Sequence, residues 1–436
     1  MRVHVDTLVT PDAVERDIVV DVDDAGVIVA IRPIDGVGFD VELGTAVPGF
    51  ANTHSHAFHR LLRGRTNRGG GDFWEWRTRM YRAANVLEPE DVFEVARLVY
   101  DEMRAAGYTA VGEFHYLHHR ADGSPYAKHD MELAIAEAAR DAGIRLTLLD
   151  TCYLAGGFGM PLEKDQVRFG DGSVDAWLSR WHALRDRLAK LHPEAVLGAA
   201  IHSVRAVPQA ALARAVAGIP ADVPLHVHLS EQSAENLDSM AFTGLTPTAL
   251  LEDAGALSRR TTVVHATHLT ATDTEQLGRA RVFASICPST EADLGDGLGM
   301  PEPLDAAGAR LTIGSDQNVV IDPFAEVRGV EWMERLASHR RGVFSTAALW
   351  RMGGVDGHAA LNPTGSPTQK LAVGHPLDLV ELDTRSPRTL GAHPEELLFS
   401  ATPADVLSTI IRGRHRAVRP GEAPELDIWE RLDRDG

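Results

Sequence analysis

Histidines and acids fall in a pattern suited to holding a cation and activating water. One apolar run ends in His54-Ser55-His56. A second reads Leu225-His226-Val227-His228-Leu229-Ser230-Glu231, a third Val263-Val264-His265, and a fourth Ile313-Gly314-Ser315-Asp316. On a strand, residues two apart point to the same side, so His54 and His56 can share one cation. An isolated His-x-His is weak evidence, since most such pairs are hydrogen-bonded or surface histidines. Four runs that each carry His or Asp toward their C-terminal ends are a different matter.

The elements that must position these groups are legible as a rhythm. Eight short apolar strands are expected at Val47–His56, Thr109–Tyr116, Arg145–Leu154, Val196–Val207, Leu225–Glu231, Thr261–Leu269, Val282–Thr290 and Arg310–Gln317. The segments between them, such as Pro89–Ala106 and Met131–Gly143, carry apolar residues at helical spacing and often end at glycine. This alternation predicts a closed α/β fold, a (β/α)8 TIM-type barrel over residues 48–365. Barrel active sites lie at the C-terminal ends of the strands, where the His and Asp residues fall. Residues 1–47 read instead as short alternating strands (Val3–Val5, Asp17–Asp21, Val27–Ile31). Strand-like text returns at Leu377–Leu382 and Leu407–Arg412. Segments 1–47 and 366–436 are therefore expected to form one small, sandwich-like β domain from both termini.

The chain of 436 residues carries a net charge of −19, which disfavours nucleic acid or an anionic membrane as partner. No apolar run is long enough for a membrane span or signal peptide. The two cysteines, Cys152 and Cys287, form no CxxC pair, which fits a reducing cytoplasm. A small-molecule substrate and a homodimeric assembly are the expected partners.

With its ligand pattern on strands one, five, six and eight, the whole chain resembles the amidohydrolase superfamily. The resemblance implies metal ligands His54, His56, His228 and Asp316, with His265 beside the activated water. His228 is preferred to His226 because it heads His228-Leu229-Ser230-Glu231, the His-x-x-Glu unit shared by superfamily deaminases. His226 is left a supporting or packing role. Two-metal members carry a lysine on strand four, and Val196–Ser203 has none. One metal per chain follows, with Zn2+ the best match to mixed imidazole and carboxylate ligands and Fe2+ or Mn2+ as alternatives. Asp316 would accept the water proton, His265 would orient the nucleophile, and Glu231 would protonate the departing nitrogen.

Further segments resemble the N-formimidoyl-L-glutamate deiminases of histidine catabolism. These are Gly112–His119, His202–Ala206, Phe73–Arg77, Val264–His268 and Ser289–Gly297. The resemblance implies hydrolysis of the formimino group to formyl with release of ammonia, and substrate contacts from Arg77, Tyr116, His202 and Arg205. Arginine forks suit the substrate's two carboxylates, and Glu231 suits its amidinium. Residues 60–82 hold seven arginines against Asp72 and Glu75, a local +5 in an acidic chain. Most of these arginines are expected to solvate a loop, with Arg77 the exception. His59 departs from the family pattern, which has glutamine there, and could donate the same hydrogen bond. The stretch Thr66–Gly71 has the composition of a lid. The rival readings are a guanine or other heteroaromatic-base deaminase, which would want stacking and amide contacts, and a non-catalytic barrel scaffold, which would have lost ligands.

Overall fold

The computed structural model describes residues 1–34, 36–66, 73–362, 371–418 and 426–434; the side chains of Phe73 and Trp74 lie outside that description. The glycine-rich stretch read as a lid (67–71) therefore lies outside the described residues.

Eight parallel strands pair consecutively: Phe50–Ser55, Tyr108–His115, Arg145–Cys152, Val196–Ile201, Leu225–Leu229, Thr261–His265, Phe283–Ile286 and Arg310–Ile313. The first and last meet through a bridge between Ser55 and Asp316. There the Asp316 N–H donates to the His54 carbonyl and the His56 N–H to the Asp316 carbonyl, both at 2.9 Å. The sheet is thereby closed as a barrel. Nearly every strand residue is buried, as expected where helices cover a parallel sheet. The helices start and stop where the sequence signals them. Pro89–Ala106 begins with a capping box between Glu88 and Asp91 and ends at Gly107, whose φ of 106° a side chain would oppose.

The observed strands are shorter at their C-terminal ends than expected, for local reasons. Ser230, His265, Ala266 and Asp316 have φ between 43° and 68°, which breaks the ladder as the chain turns over the barrel mouth. After Ile286 the chain enters the helix Pro288–Leu294, with proline in its first turn. Val47 and Pro48, expected in barrel strand one, end a strand of the other sheet instead.

That other sheet has seven strands, in the order Arg414–Ala417, Val406–Ile411, Leu379–Leu382, Val41–Pro48, Arg2–Val9, Val14–Val22, Ile28–Pro33. Only Arg2–Val9 and Val41–Pro48 run parallel to each other. Both termini thus build one mixed sheet, whose apolar face gathers Val3, Val5, Val20, Leu43, Leu379 and Ile410.

Inside the barrel a polar set fixes the seam that carries the site. Asn52 Nδ2 donates to Ser315 Oγ at 2.6 Å, and Ser315 Oγ donates to Asn318 Oδ1 at 2.6 Å. Asn318 Nδ2 then donates to the His56 carbonyl at 3.0 Å. Each group is fully buried and satisfied, so the chain of bonds holds strand one in register with the end of strand eight.

Candidate active site

His54, His56, His228 and Asp316 converge at the barrel mouth. His54 Nε2 lies 3.1 Å from His228 Nε2 and 3.3 Å from Asp316 Oδ1, and His56 Nε2 lies 3.4 Å from the same oxygen. Two ligands placed about 2.0–2.1 Å from one tetrahedral zinc stand about 3.3 Å apart, so the spacings fit a single ion. The outer nitrogens aim the inner ones. His56 Nδ1 donates to the Phe114 carbonyl at 2.8 Å, and His228 Nδ1 to the His202 carbonyl at 2.9 Å. Burial lowers the pKa of all three histidines and keeps them neutral, with lone pairs available. Asp316 is lowered despite its burial, because His54, His265 and His56 surround it. These groups are candidate ligands for a divalent cation.

His265 Nε2 stands 4.0 Å from Glu231 and 3.9 Å from Asp316, while its Nδ1 faces Glu291 at 3.4 Å. Burial opposes its protonation, but Glu231, Glu291 and Asp316 prevail and raise its pKa to about 10. Both His265 (φ 68°) and Asp316 (φ 43°) sit in the left-handed region, a conformation that costs energy and turns the strand ends inward.

Around this cluster one pocket is lined by every substrate-contact candidate: His59, Arg77, Tyr116, His202 and Arg205, together with Glu231. His59 Nε2 and the Tyr116 hydroxyl are hydrogen-bonded at 2.9 Å, and burial lowers the His59 pKa to about 3, leaving it neutral. Arg205 lies between two acids, with Nη2 3.6 Å from Glu231 Oε2 and Nε 3.5 Å from Glu235 Oε1. Arg77 Nε donates to the Tyr81 hydroxyl at 2.6 Å. Other arginines of residues 60–82 are engaged elsewhere. Arg60 and Arg63 pair with Glu102, Arg65 with Asp433, and Arg79 with Glu75. His226 is fully buried, with a pKa lowered to about 3 by burial, and does not line the pocket.

The amidohydrolase family pattern matches residues 45–416. The chain belongs to the amidohydrolase family. It is 37% identical over 418 residues to the formimidoylglutamate deiminase of Pseudomonas aeruginosa, covering 93% of this chain and 92% of that one. It is 28% identical over 396 residues to a 5′-deoxyadenosine deaminase of Methanoregula boonei, covering 87% and 80%. Among solved structures, an amidohydrolase from Brucella melitensis superposes with a TM-score of 0.87 at 33% identity, covering 99% and 97%. No helix among the described residues is long and apolar enough to cross a membrane.

Within this amidohydrolase the pocket also holds residues that sequence reasoning missed. Tyr153 follows strand three, and a tyrosine at a strand end was the available signal. Tyr81 lies one helical turn beyond Arg77 on Phe73–Val86, so the pair shares a face. Glu235 stands four residues after Glu231, at the start of helix Ser233–Thr243, and only its position in space reveals its bearing on Arg205.

Proposed function

We propose that this amidohydrolase hydrolyses N-formimidoyl-L-glutamate to N-formyl-L-glutamate and ammonia. One observation carries the reading: Arg77 and Arg205 line the same pocket as Glu231, His265 and the His–Asp cluster. Two guanidinium groups suit a substrate with two carboxylates, and Glu231 suits its cationic amidine. The identity to the Pseudomonas aeruginosa enzyme supports the same substrate.

His54, His56, His228 and Asp316 would hold one zinc ion per chain. When bound, the ion supplies Lewis-acid activation of water at neutral pH. The protein's own groups do the rest. Arg77 and Arg205 fix the carboxylates, with Tyr116, His59 and His202 completing the wall, so that the formimino carbon faces Asp316 and His265. Asp316 accepts a proton as water oxygen bonds to that carbon, and His265 orients the oxygen by hydrogen bonding. Glu231, an anion while it pairs with the amidinium, accepts the remaining proton of that oxygen and delivers it to the terminal nitrogen, and Asp316 returns its own proton to solvent. The C–N bond breaks, ammonia departs and the formyl group remains.

The division into a barrel (48–365) and a terminal β unit (1–47 and 366–436) belongs to the same proposal, as does a cytoplasmic location, which two buried free thiols support. Proton NMR of the purified protein with N-formimidoyl-L-glutamate tests the function. A formyl resonance should grow with equimolar ammonia, and the N-formimidoyl derivative of 4-aminobutanoate, lacking the α-carboxylate, should react far more slowly. Equal rates for the two compounds would remove carboxylate recognition from the reading.

A further inference from the structure

At the opposite end of the barrel, away from the proposed active site, a cleft of about 370 Å³ separates the base of strand three from the terminal sheet. Its wall holds Arg104, Arg140, Arg145, Arg412, Arg414 and Arg416 against three carboxylates, Asp23, Asp24 and Glu194. In a chain of net charge −19 this is a local inversion of sign.

Part of the charge has structural employment. Arg145 pairs with the buried Asp378 at 2.6 Å, and Arg140 pairs with Glu137. Arg416 Nη1 donates to the Ala142 carbonyl at 2.8 Å and so caps the helix Asp130–Ala142. Its guanidinium lies over Gly143, about 3 Å from where a Cβ would stand, and glycine's lack of a side chain permits that approach. Arg412 donates to the Glu194 carbonyl at 3.1 Å, while Arg104 has Asp101 no nearer than 3.7 Å. On the acidic side, Asp23 is occupied in its turn, where Oδ1 accepts the Ala25 and Val27 N–H groups.

These contacts leave donors over. Arg104 Nε and Nη1, and Arg145 Nε, are buried with no acceptor among the described residues. Burial and then neighbouring guanidinium groups lower the pKa of Arg104, beside Arg416, and of Arg412, beside Arg145. Buried cationic donors without acceptors are costly, and a guanidinium cluster of this kind matches an oxyanion bearing more than one charge. The volume lies in the range of small-ligand pockets.

We infer that this cleft binds a small polyvalent oxyanion, of the phosphate or polycarboxylate class, which bridges the barrel and the terminal sheet. The site is independent of the deimination reading. Binding to the folded state alone raises stability with ligand concentration.

The test is thermal unfolding of the full chain at constant ionic strength, with chloride exchanged for inorganic phosphate in one arm and citrate in another. Wild type should show a saturable rise in Tm, and the tighter arm identifies the anion class. Arg104→Gln and Arg412→Gln should each weaken the apparent Kd at least about tenfold, while leaving Tm in chloride equal or higher because cation repulsion is relieved. Any anion held by Arg77 and Arg205 in the pocket would persist in both variants and so separates itself. A response unchanged by the substitutions, or no saturable response in wild type, overturns the inference. A Tm lowered equally in chloride and phosphate would do the same, by making the arginines purely structural.

Discussion

The Nε2 atoms of His54 and His228 face each other at 3.1 Å inside the barrel mouth. Burial lowers both pKa values, so two neutral rings meet across a gap sized for a cation. Protein purified without added metal should carry about one transition-metal equivalent per chain, by elemental analysis, and His228→Asn should lose most of it. Metal affinity should fall as pH falls, since protons compete for the same nitrogens. Two tightly held equivalents would refute the single-ion site.

Glu231 should behave as a proton carrier rather than a ligand. Glu231→Gln is expected to lower kcat by roughly 10²–10⁴-fold with metal content unchanged. Loss of metal together with activity would make it a ligand, and near-normal turnover a bystander.

Arg205 is expected to anchor a substrate carboxylate. Truncating one partner of a buried charge pair costs about 2–5 kcal/mol, so Arg205→Ala should lower kcat/KM by roughly 30-fold or more. Arg205→Lys should recover part of this, because an ammonium cannot make the paired fork. Glu235, at 3.5 Å, is the buried acid that positions the guanidinium. Glu235→Gln should therefore raise KM more than it lowers kcat, and an effect on kcat alone would argue against positioning.

These residues also show what the linear chain reveals. The candidate ligands were legible because strand periodicity places His54 with His56 and four expected strands carry His or Asp toward their C-terminal ends, the pattern on which the family resemblance rests. Arg77 and Arg205 were legible through resemblance to a family of known chemistry. Glu235, Tyr81 and Tyr153 were not, because their roles come from packing between elements far apart in sequence. Strand ends were overextended because apolar text continues through Ala266, while the backbone there turns left-handed. The fourth strand of the terminal sheet, Val41–Pro48, was partly read into the barrel because its apolar end runs straight into Phe50.

Away from the pocket lining, Arg180 joins helix Val174–Leu191 to strand three and to helix Asp130–Ala142. Nη1 lies 2.7 Å from Asp150 and 3.0 Å from Glu132, and Nε lies 2.8 Å from Asp171. Removing one member leaves buried charges unpaired, so Arg180→Gln should destabilise the fold by about 3–5 kcal/mol in urea unfolding. Burial would raise the Glu132 pKa, but His118 and Arg180 outweigh it and lower it from 4.5 to about 2. Its contribution is thus full above about pH 4.5 and is lost as pH falls toward 2. His118 is shifted the other way: burial and Arg180 oppose its proton, yet Asp150 and Glu132 raise its pKa above 6.5. Its contribution is present below that value and fades as pH rises through the shifted pKa. The acid loss of stability between about pH 4.5 and 2 should be shallower in Arg180→Gln than in wild type.

The central claim is tested most directly by one ammonia-release assay of the purified enzyme on N-formimidoyl-L-glutamate, guanine and 5′-deoxyadenosine, each at equal concentration. Two arginines in the pocket predict rapid, stoichiometric ammonia from the dicarboxylate and little from the neutral base or the neutral nucleoside. Turnover of guanine or 5′-deoxyadenosine with none of the formimino compound would contradict the deiminase assignment while leaving the chain's place in the amidohydrolase family untouched.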